Sequence, residues 1–449
     1  MIAGFKTIFQ TKNSRNRMLR NNIILSGVIK VIGLVTSLLI VPVTLNYLDK
    51  ERYGIWMTLS SILMWFSYFD IGLGNGMRNY LAQAISEGNY EKGRAYLSTT
   101  LMMISAIAIL LCSITTVLIY ALDLNSVFNT QVLDITQLRN ALLIAVVCTL
   151  IVFVTKNIGI VYVALQRYAI NDLLIVTGNI IALLTVFILT KTTECDFVLV
   201  VATFTIPPAL IFLLAAIPLF RKYKALRPRL KSFDRDFANQ IITKGLGFFF
   251  IQITSCLVIF GGSNLFITQI DGPEVVTTYN IAYKFFNLLA IGYTIILSPM
   301  WNAYTDAYVK NDFTWIRNNF YCALKTWTLT FFAGIVMIVI SKLFYRLWVG
   351  ESIEVPYYLS ACVMLYISFF NLNNCATYLV NGLNKIQVQI ITSIVVTTLY
   401  LTTILFMGNT LKVFGVVICM AVSYAIMSVI HLYQCHLIIN RKASGIWDK

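Results

Sequence analysis

Residues 95–122 read AYLSTTLMMISAIAILLCSITTVLIYAL, without a single Asp, Glu, Lys or Arg. About 20 helical residues suffice to cross the hydrocarbon core of a bilayer, so this run is long enough. Uncharged windows of similar length recur at 197–220, 245–270, 355–384 and 413–440. Because backbone amides in lipid must find their hydrogen bonds within their own segment, each window is predicted to be a helix.

The composition excludes an ordinary soluble protein. Hydrophobic residues make up 58% of the 449 residues and charged residues only 12%, with a mean hydropathy of +0.78, whereas a soluble chain carries about 25% charged residues. A net charge of +15 could indicate nucleic-acid binding in a soluble chain. Here the basic residues alternate with the apolar windows, which is typical of loops held in the cytoplasm, and no nucleic-acid partner is predicted.

The pattern predicts an all-α polytopic membrane protein with about twelve transmembrane helices. The first apolar run, from Ile23 to Leu45, is too long for a signal peptide and has no small-residue cleavage site after it. We therefore predict a retained first helix. The predicted spans are 23–47, 54–76, 96–121, 140–163, 170–190, 197–220, 243–269, 277–301, 320–341, 355–380, 386–408 and 413–437.

The distribution of Lys and Arg predicts the orientation. Segments on the side of the N-terminal tail hold 22 of these residues, and segments on the other side hold 7. Since basic loops stay in the cytoplasm, both ends of the chain are predicted to be cytoplasmic. The predicted order is a cytoplasmic tail (1–22), an N-terminal bundle (23–220), a basic linker (221–242), a C-terminal bundle (243–437) and a second cytoplasmic tail (438–449).

The two halves resemble each other. The turn after the second span, Ala84 to Arg94, and the turn after the eighth, Ala307 to Arg317, both fit Ala-x3-[Gly/Asn]-[Asn/Asp]-[Tyr/Phe]-x3-Arg. Six spans per copy give both copies the same orientation, so we predict two six-helix bundles related by a pseudo-twofold axis along the membrane normal. Two such bundles are typical of alternating-access transporters, which place the substrate at the interface of the repeats.

Several motifs resemble a known family. They are GLVTSLLIVP (33–42), LNYL (45–48), YGIW (53–56), FDIGLGNGMRN (69–79), YNIAYKFF (279–286), PMWNAY (299–304) and NGLNK (381–385). The chain is similar to bacterial polysaccharide flippases of the O-antigen translocase type, in the superfamily that also holds multidrug antiporters and lipid II flippases. Lipid II flippases typically have two further spans, which favours the O-antigen type.

The resemblance implies that the protein moves an undecaprenyl-diphosphate-linked oligosaccharide to the outer leaflet of the bacterial inner membrane. It also implies membrane lipids as partners, with a polysaccharide polymerase and chain-length proteins as further candidates. No cofactor or metal is expected. Two alternatives stay open: a cation-coupled drug or metabolite exporter on the same scaffold, and a membrane glycosyltransferase or polymerase. An enzyme is not favoured, because no nucleophile, base and acid converge in the sequence.

Two lysines within predicted spans are candidates for contacts with the diphosphate. A lysine near the bilayer centre costs roughly 2.5–3.5 kcal/mol, so it calls for a functional or structural reason. Lys30 and Lys284 match places where the resemblance implies cationic side chains in the cavity. The alternative for both is that the ammonium group extends to the nearby membrane surface.

Further polar residues in or beside the spans have two interpretations each. Lys156 and Arg78 are candidates for the cavity or for ion pairs with Asp70, and Asp70 and Asp306 are candidates for ion coupling or for structural ion pairs. Asn371, Asn373 and Asn374 suit sugar contacts or hydrogen bonds between helices. The two histidines, His431 and His436, are predicted to be interfacial polar residues, because two ligands are too few for a metal site.

Overall fold

The computed structural model describes residues 14–70, 72–251 and 261–448, and within these ranges all regular secondary structure is helical. We number the α-helices in chain order and leave the short 3₁₀ turns unnumbered. The α-helices are α1 (Ser14–Trp65), α2 (Leu73–Ser86), α3 (Tyr90–Ala121), α4 (Leu124–Phe128), α5 (Ile135–Ala164), α6 (Tyr168–Thr192), α7 (Phe197–Lys222), α8 (Arg235–Ile251), α9 (Ser263–Asp271), α10 (Pro273–Leu297), α11 (Met300–Val309), α12 (Phe313–Val349), α13 (Tyr357–Gly382) and α14 (Gln387–Ile439).

Two of these helices contain a sharp break, and each break separates two predicted spans. In α1, Asp49 has φ 69° and its carboxylate accepts a hydrogen bond of 2.9 Å from the amide of Arg52. In α14, Lys412 has φ 56°, and the carboxylate of Asp271 accepts one of 2.7 Å from the amide of Val413. A positive φ interrupts a helix, and the carboxylate caps the helix that restarts after it.

The prediction of an all-α membrane protein is confirmed. Ten helical stretches of the described residues are long and apolar enough to cross a membrane, and one of them, Leu25–Asp70, covers the first two predicted spans. The predicted seventh span, 243–269, lies partly outside the described residues. With the break at Asp49 dividing Leu25–Asp70, these stretches cover the other eleven of the twelve predicted spans.

Some helix bounds differ from the prediction. The second span was predicted to end at residue 76, but α1 ends at Trp65, a 3₁₀ turn follows, and α2 starts at Leu73. Gly72, with φ 73°, permits this change of direction. The ninth span was predicted as 320–341, whereas α12 extends from Phe313 to Val349, because the Asp312 carboxylate caps it outside the apolar stretch.

The chain folds as two compact units. Of the described residues, unit 1 comprises 14–52, 63–70, 72–127 and 131–249. In it α5 packs along α7 and α3, and α6 packs along α7. One apolar core of this unit is formed by Met77, Leu81, Leu97, Ile158, Val161, Tyr162, Ala164, Ala215, Leu219 and Leu226. The basic linker, predicted as a separate segment, contributes Leu226 to this core.

Of the described residues, unit 2 comprises 53–62, 128–130, 250–251 and 261–448, so the segment Tyr53–Ile62 groups with helices that follow much later in the sequence. The N-terminal bundle was predicted as one uninterrupted stretch, 23–220, and these two short segments depart from that boundary. In unit 2, α13 packs against α10, α12 and α14. One apolar core of this unit includes Tyr293, Tyr304, Ile316, Phe320, Leu379, Val380 and Cys435.

The repeated sequence motif forms the same turn in both units. The amides of Asn89 and Asp312 donate to the carbonyls of Ala84 and Ala307, each at 2.9 Å, and the residues before them, Gly88 and Asn311, have positive φ. The Asn89 and Asp312 side chains then cap the next helix. Two motif positions therefore have a backbone reason: a helix ends in a left-handed residue and the next starts at an Asx cap.

The arginine that closes the motif has the same kind of partner in each unit. Arg94 donates to the carbonyl of Ala225, just after α7, at 2.7 Å. Arg317 donates to the side-chain oxygen of Asn440, just after α14, at 2.9 Å. Each arginine thus connects the repeated turn of its unit to the end of a later helix of the same unit, α7 or α14. This agreement is what an internal duplication predicts.

Candidate substrate-binding residues

Lys284 on α10 is a half-buried cation. Its ammonium nitrogen lies 3.4 Å from the hydroxyl oxygen of Tyr53, to which it donates, and Tyr53 itself is buried. In residues 14–70, 72–251 and 261–448, no carboxylate oxygen comes within 4 Å of this ammonium group. A charged amine held in apolar surroundings with a neutral partner is costly, and it would bind an anion that reached it.

Aromatic rings surround this part of α10. Tyr279 and Tyr283, one helical turn apart, stack with their centroids 6.0 Å apart, and Tyr283 stacks on Tyr366 of α13 at 6.5 Å. Tyr424 of α14 extends the group, 5.7 Å from Tyr366. Sequence reasoning missed this cluster, although the i, i+4 spacing of two tyrosines on one predicted helix was visible. The hydroxyl of Tyr366 is buried and has no hydrogen-bond partner among the described residues.

A polar network positions Tyr53 beside Lys284. Asn264 donates to Ser61 Oγ at 2.6 Å and to the carbonyl of Met57 at 3.2 Å, and Asn280 donates to Asn264 Oδ1 at 2.9 Å. The hydroxyls of Thr58 and Thr268 are 2.6 Å apart. Three of these bonds join the segment Tyr53–Ile62 to α9, and the bond from Asn280 joins α10 to α9, all within unit 2. In apolar surroundings such pairs hold helices at a fixed distance.

At Gly54 the backbone of the segment Tyr53–Ile62 also packs closely against the start of α10. A β-carbon added to Gly54 would lie 1.7 Å from the carbonyl oxygen of Pro273, the first residue of α10. No side chain fits there without moving the backbone. Gly54 therefore belongs to the support of the Lys284 site, and it stands within the Tyr53-Gly-Ile-Trp56 motif.

Lys30, the other lysine predicted to contact the diphosphate, has a different environment. Its side chain is exposed, and its ammonium group lies 3.8 Å from the carboxylate of Asp172 on α6, which also accepts a hydrogen bond from Ser26. Sequence reasoning did not consider Asp172 because it lies at the edge of a predicted span. Lys30 is thus a cation whose charge is partly balanced within unit 1.

Lys156 and Asp70 form the ion pair that was one of the two predicted interpretations. Their charged groups are 3.4 Å apart, and both side chains are largely shielded. Asp70 also accepts from the amide of Gly74 at 3.1 Å, so it stabilises the start of α2. Arg78 is exposed and bonds only its neighbour Asn79 among the described residues. This geometry favours structural roles for Asp70 and Lys156.

We expect the double variant of Asp70 and Lys156 to lose less stability than the sum of the two single variants. Asp70→Asn or Lys156→Gln alone leaves one charge without its partner, whereas the double variant leaves none. The double variant should therefore melt above the less stable single variant, with a coupling energy of about 1 kcal/mol. Thermal unfolding in detergent measures this. Additive losses, with transport abolished by Asp70→Asn alone, would instead support ion coupling through Asp70.

The remaining predicted residues separate into buried and exposed sets. Asn371 is 1% exposed, and neither atom of its amide has a hydrogen-bond partner among the described residues, while Asn374 is half-buried. Asn373 lies 2.8 Å from His431 Nδ1, and His431 is buried, so the prediction of an interfacial residue was wrong for it. Asp306 is exposed and paired with Lys310 at 2.7 Å on α11, outside the apolar spans.

The fold is shared with solved membrane transporters. The structure superposes on an inward-facing multidrug resistance transporter of the MATE family, in the MOP superfamily, with a TM-score of 0.75 over 94% of this chain and 100% of that one, at 14% identity. It also superposes on a MOP superfamily transporter from Pyrococcus furiosus, with a TM-score of 0.63 over 95% of this chain and 96% of that one, at 13% identity. At such low identity the likeness shows the fold.

The sequence identifies the family of the protein. Residues 19–301 match the model of the polysaccharide biosynthesis protein family, and the chain belongs to that family. It is 22% identical over 294 residues to a putative O-antigen transporter of Salmonella typhi, and 23% identical over 295 residues to a putative O-antigen export protein of Yersinia pseudotuberculosis. The matched region spans 63% of this chain and 63% of each of these relatives.

Proposed function

We propose that the protein is a flippase that translocates an undecaprenyl-diphosphate-linked oligosaccharide, such as an O-antigen repeat unit, by alternating access. It would act in the bacterial inner membrane with both termini in the cytoplasm. The family and the relatives named as O-antigen transporters support this assignment. The observation that carries it is the half-buried Lys284, which has a neutral tyrosine partner and no carboxylate within 4 Å among the described residues.

The substrate chemistry fits this environment. A diphosphate needs a cation that is not already neutralised, and a charge-assisted hydrogen bond from an ammonium group is among the stronger polar contacts. The tyrosine cluster beside Lys284 offers ring faces and hydroxyl groups, which suit a sugar better than a purely aliphatic wall would. Lys30, Arg78, Asn371 and Asn374 are further candidates for contacts along the path of the substrate.

The charges of the described residues argue against export of cationic drugs. Such a cavity would present a free carboxylate to its ligand. Three carboxylates on or beside apolar helices are instead paired with lysines: Asp70 with Lys156, Asp172 with Lys30, and Asp271 with Lys412, at 3.4, 3.8 and 3.9 Å. A transferase or polymerase is disfavoured by the relatives, which are named transporters or export proteins.

Reconstituted vesicles test the proposal. The purified protein is placed in liposomes that carry a labelled polyprenyl-diphosphate oligosaccharide in both leaflets, and a glycan-modifying enzyme is added outside. Active flippase should expose nearly all of the labelled lipid to the enzyme, whereas protein-free vesicles should protect the inner-leaflet half. If the inner-leaflet half stays protected in vesicles that contain the purified protein, and parallel vesicles take up a cationic dye, the flippase proposal is overturned and the exporter is favoured.

A further inference from the structure

The segment Arg221–Arg235 of unit 1 is strongly basic and faces outward. It contains seven Lys or Arg residues and a single acidic one, Asp234. All seven basic side chains belong to exposed residues, and none has a carboxylate within 4 Å in the parts of the chain that the structure describes. Their charge is therefore available to a partner outside the protein. The basic residues are Arg221, Lys222, Lys224, Arg227, Arg229, Lys231 and Arg235.

The backbone of this segment is held in one place by the start of α3. Leu226 is fully buried, and its side chain would come within 3.1 Å of a β-carbon on Gly93. Arg94 donates to the Ala225 carbonyl at 2.7 Å, and the hydroxyls of Ser98 and Thr99 accept from the amides of Arg229 and Asp234 at 3.0 and 2.8 Å. A segment fixed in this way binds a partner with little loss of backbone entropy.

Two apolar side chains stand among the exposed charges. Leu230 is 79% exposed and Phe233 is 45% exposed, on either side of Lys231. The segment directly connects the end of α7 at Lys222 to the start of α8 at Arg235. Since α7 is long and apolar enough to span the membrane, the residues that follow it lie at the level of the lipid headgroups. Basic residues interleaved with exposed Leu and Phe are the composition of a surface that binds anionic membranes.

A neighbouring cleft does not explain the positive charge. This cleft, of about 510 Å³, lies between α3 and the linker and is lined by Glu91, Arg94, Ala95, Ser232, Phe233, Asp234 and Arg235. Its two acidic and two basic side chains balance each other. The excess of positive charge lies on the outer side, at residues 221–231.

We propose that Arg221–Phe233 is a docking surface for anionic phospholipid headgroups of the bilayer that surrounds the protein. Arg227, Arg229 and Lys231 bind the headgroup phosphates, and Leu230 and Phe233 enter the interfacial layer. This surface would recruit anionic lipids next to the end of α7. The proposal concerns lipid binding by unit 1 alone, and it stands or falls independently of the transported substrate.

Lipid selectivity provides the test. The full-length protein is reconstituted with trace spin-labelled phosphatidylglycerol or phosphatidylcholine, and the fraction of each label that the protein immobilises is measured by electron spin resonance. We expect the wild type to prefer phosphatidylglycerol, and the variant Arg227→Gln/Arg229→Gln/Lys231→Gln to lose this preference by about twofold or more. High salt should reduce the preference of the wild type as well.

The matched control removes three exposed basic residues elsewhere on the predicted cytoplasmic face: Lys92→Gln/Lys310→Gln/Lys442→Gln. It should keep most of the preference. Equal loss in both triple variants, or an unchanged preference in the linker variant, would overturn the proposal. A second measurement needs no charge change: a fluorescent amino acid at position 230 should be quenched by brominated lipids, whereas the same residue at position 224 should be quenched less. Equal quenching at both positions would also contradict the proposal.

Discussion

A Lys284→Gln variant is expected to lose about 99% of its flipping activity while it remains folded. The ammonium group has a neutral partner, Tyr53, and no nearby carboxylate among the described residues, so removing its charge leaves no acidic group unpaired there. What is lost is the charge-assisted contact with the diphosphate, and about 3 kcal/mol of such contact corresponds to roughly a hundredfold in rate. Flipping in vesicles measures the effect, and accumulation of the lipid-linked sugar in cells provides a second readout.

Two companion variants make this prediction specific. Lys284→Arg keeps the charge and should retain more activity than Lys284→Gln, although an arginine does not reproduce the lysine geometry. Lys30→Gln should have a smaller effect on flipping, because Asp172 partly balances the charge of Lys30. If Lys284→Gln flips at the wild-type rate with normal expression, Lys284 does not bind the diphosphate. A larger loss of flipping for Lys30→Gln than for Lys284→Gln would indicate that Lys30, in unit 1, is the main contact of the diphosphate.

Replacing Gly54 with valine is expected to disrupt the support of the Lys284 site. Even the first carbon of the new side chain would lie 1.7 Å from the Pro273 carbonyl oxygen, so the segment Tyr53–Ile62 must move away from α10. The shift would separate Tyr53 from Lys284 and strain the bonds of Asn264 with Ser61 and Met57. Overpacking of this kind costs about 1–3 kcal/mol or more. We expect a melting temperature several degrees lower, together with little or no flipping.

Gly27→Ala supplies the matched control, because an added β-carbon at this helical glycine meets no atom within 4 Å. Alanine also favours the helix by about 1 kcal/mol over glycine, so stability should be unchanged or slightly higher. Gly54→Ala separates the effect of the contact with Pro273 from the effect of a larger side chain, because alanine adds only the β-carbon that clashes. A Gly54→Ala protein with wild-type melting temperature and activity would show that the contact with Pro273 is not required.

The sequence was sufficient for the helices and for the repeated turns. Charge-free windows specify membrane helices because lipid penalises both exposed charge and unpaired backbone, and this penalty is local. The turns at Ala84–Arg94 and Ala307–Arg317 were also recognisable, since the left-handed residue and the capping residue of the motif each satisfy a need of the adjacent backbone. The possible partner of Lys156 was found for a similar reason: few carboxylates lie near a span, so Asp70 was one of the few choices.

Other features of the candidate site depend on which side of each helix faces the protein. In a soluble helix an apolar stripe reveals this side, but in lipid both sides are apolar and the stripe is absent. The sequence therefore did not show that His431 faces α13 and bonds Asn373, or that Tyr53 reaches Lys284. The grouping of Tyr53–Ile62 with α9 and α10 depends on small residues and amides whose partners are distant in sequence.

The bonds of Arg94 with Ala225 and of Arg317 with Asn440 bear on the order of biosynthesis. Each joins the turn of the repeated motif to residues that follow a later helix of the same unit, so the bond of Arg94 can form as soon as residue 225 has emerged from the ribosome. Most of unit 1 can then mature while unit 2 is still being translated. Residues 53–62 group with unit 2, so they can pack only after α9 and α10 have been translated. The N-terminal part of the chain therefore depends on the later part at this one segment.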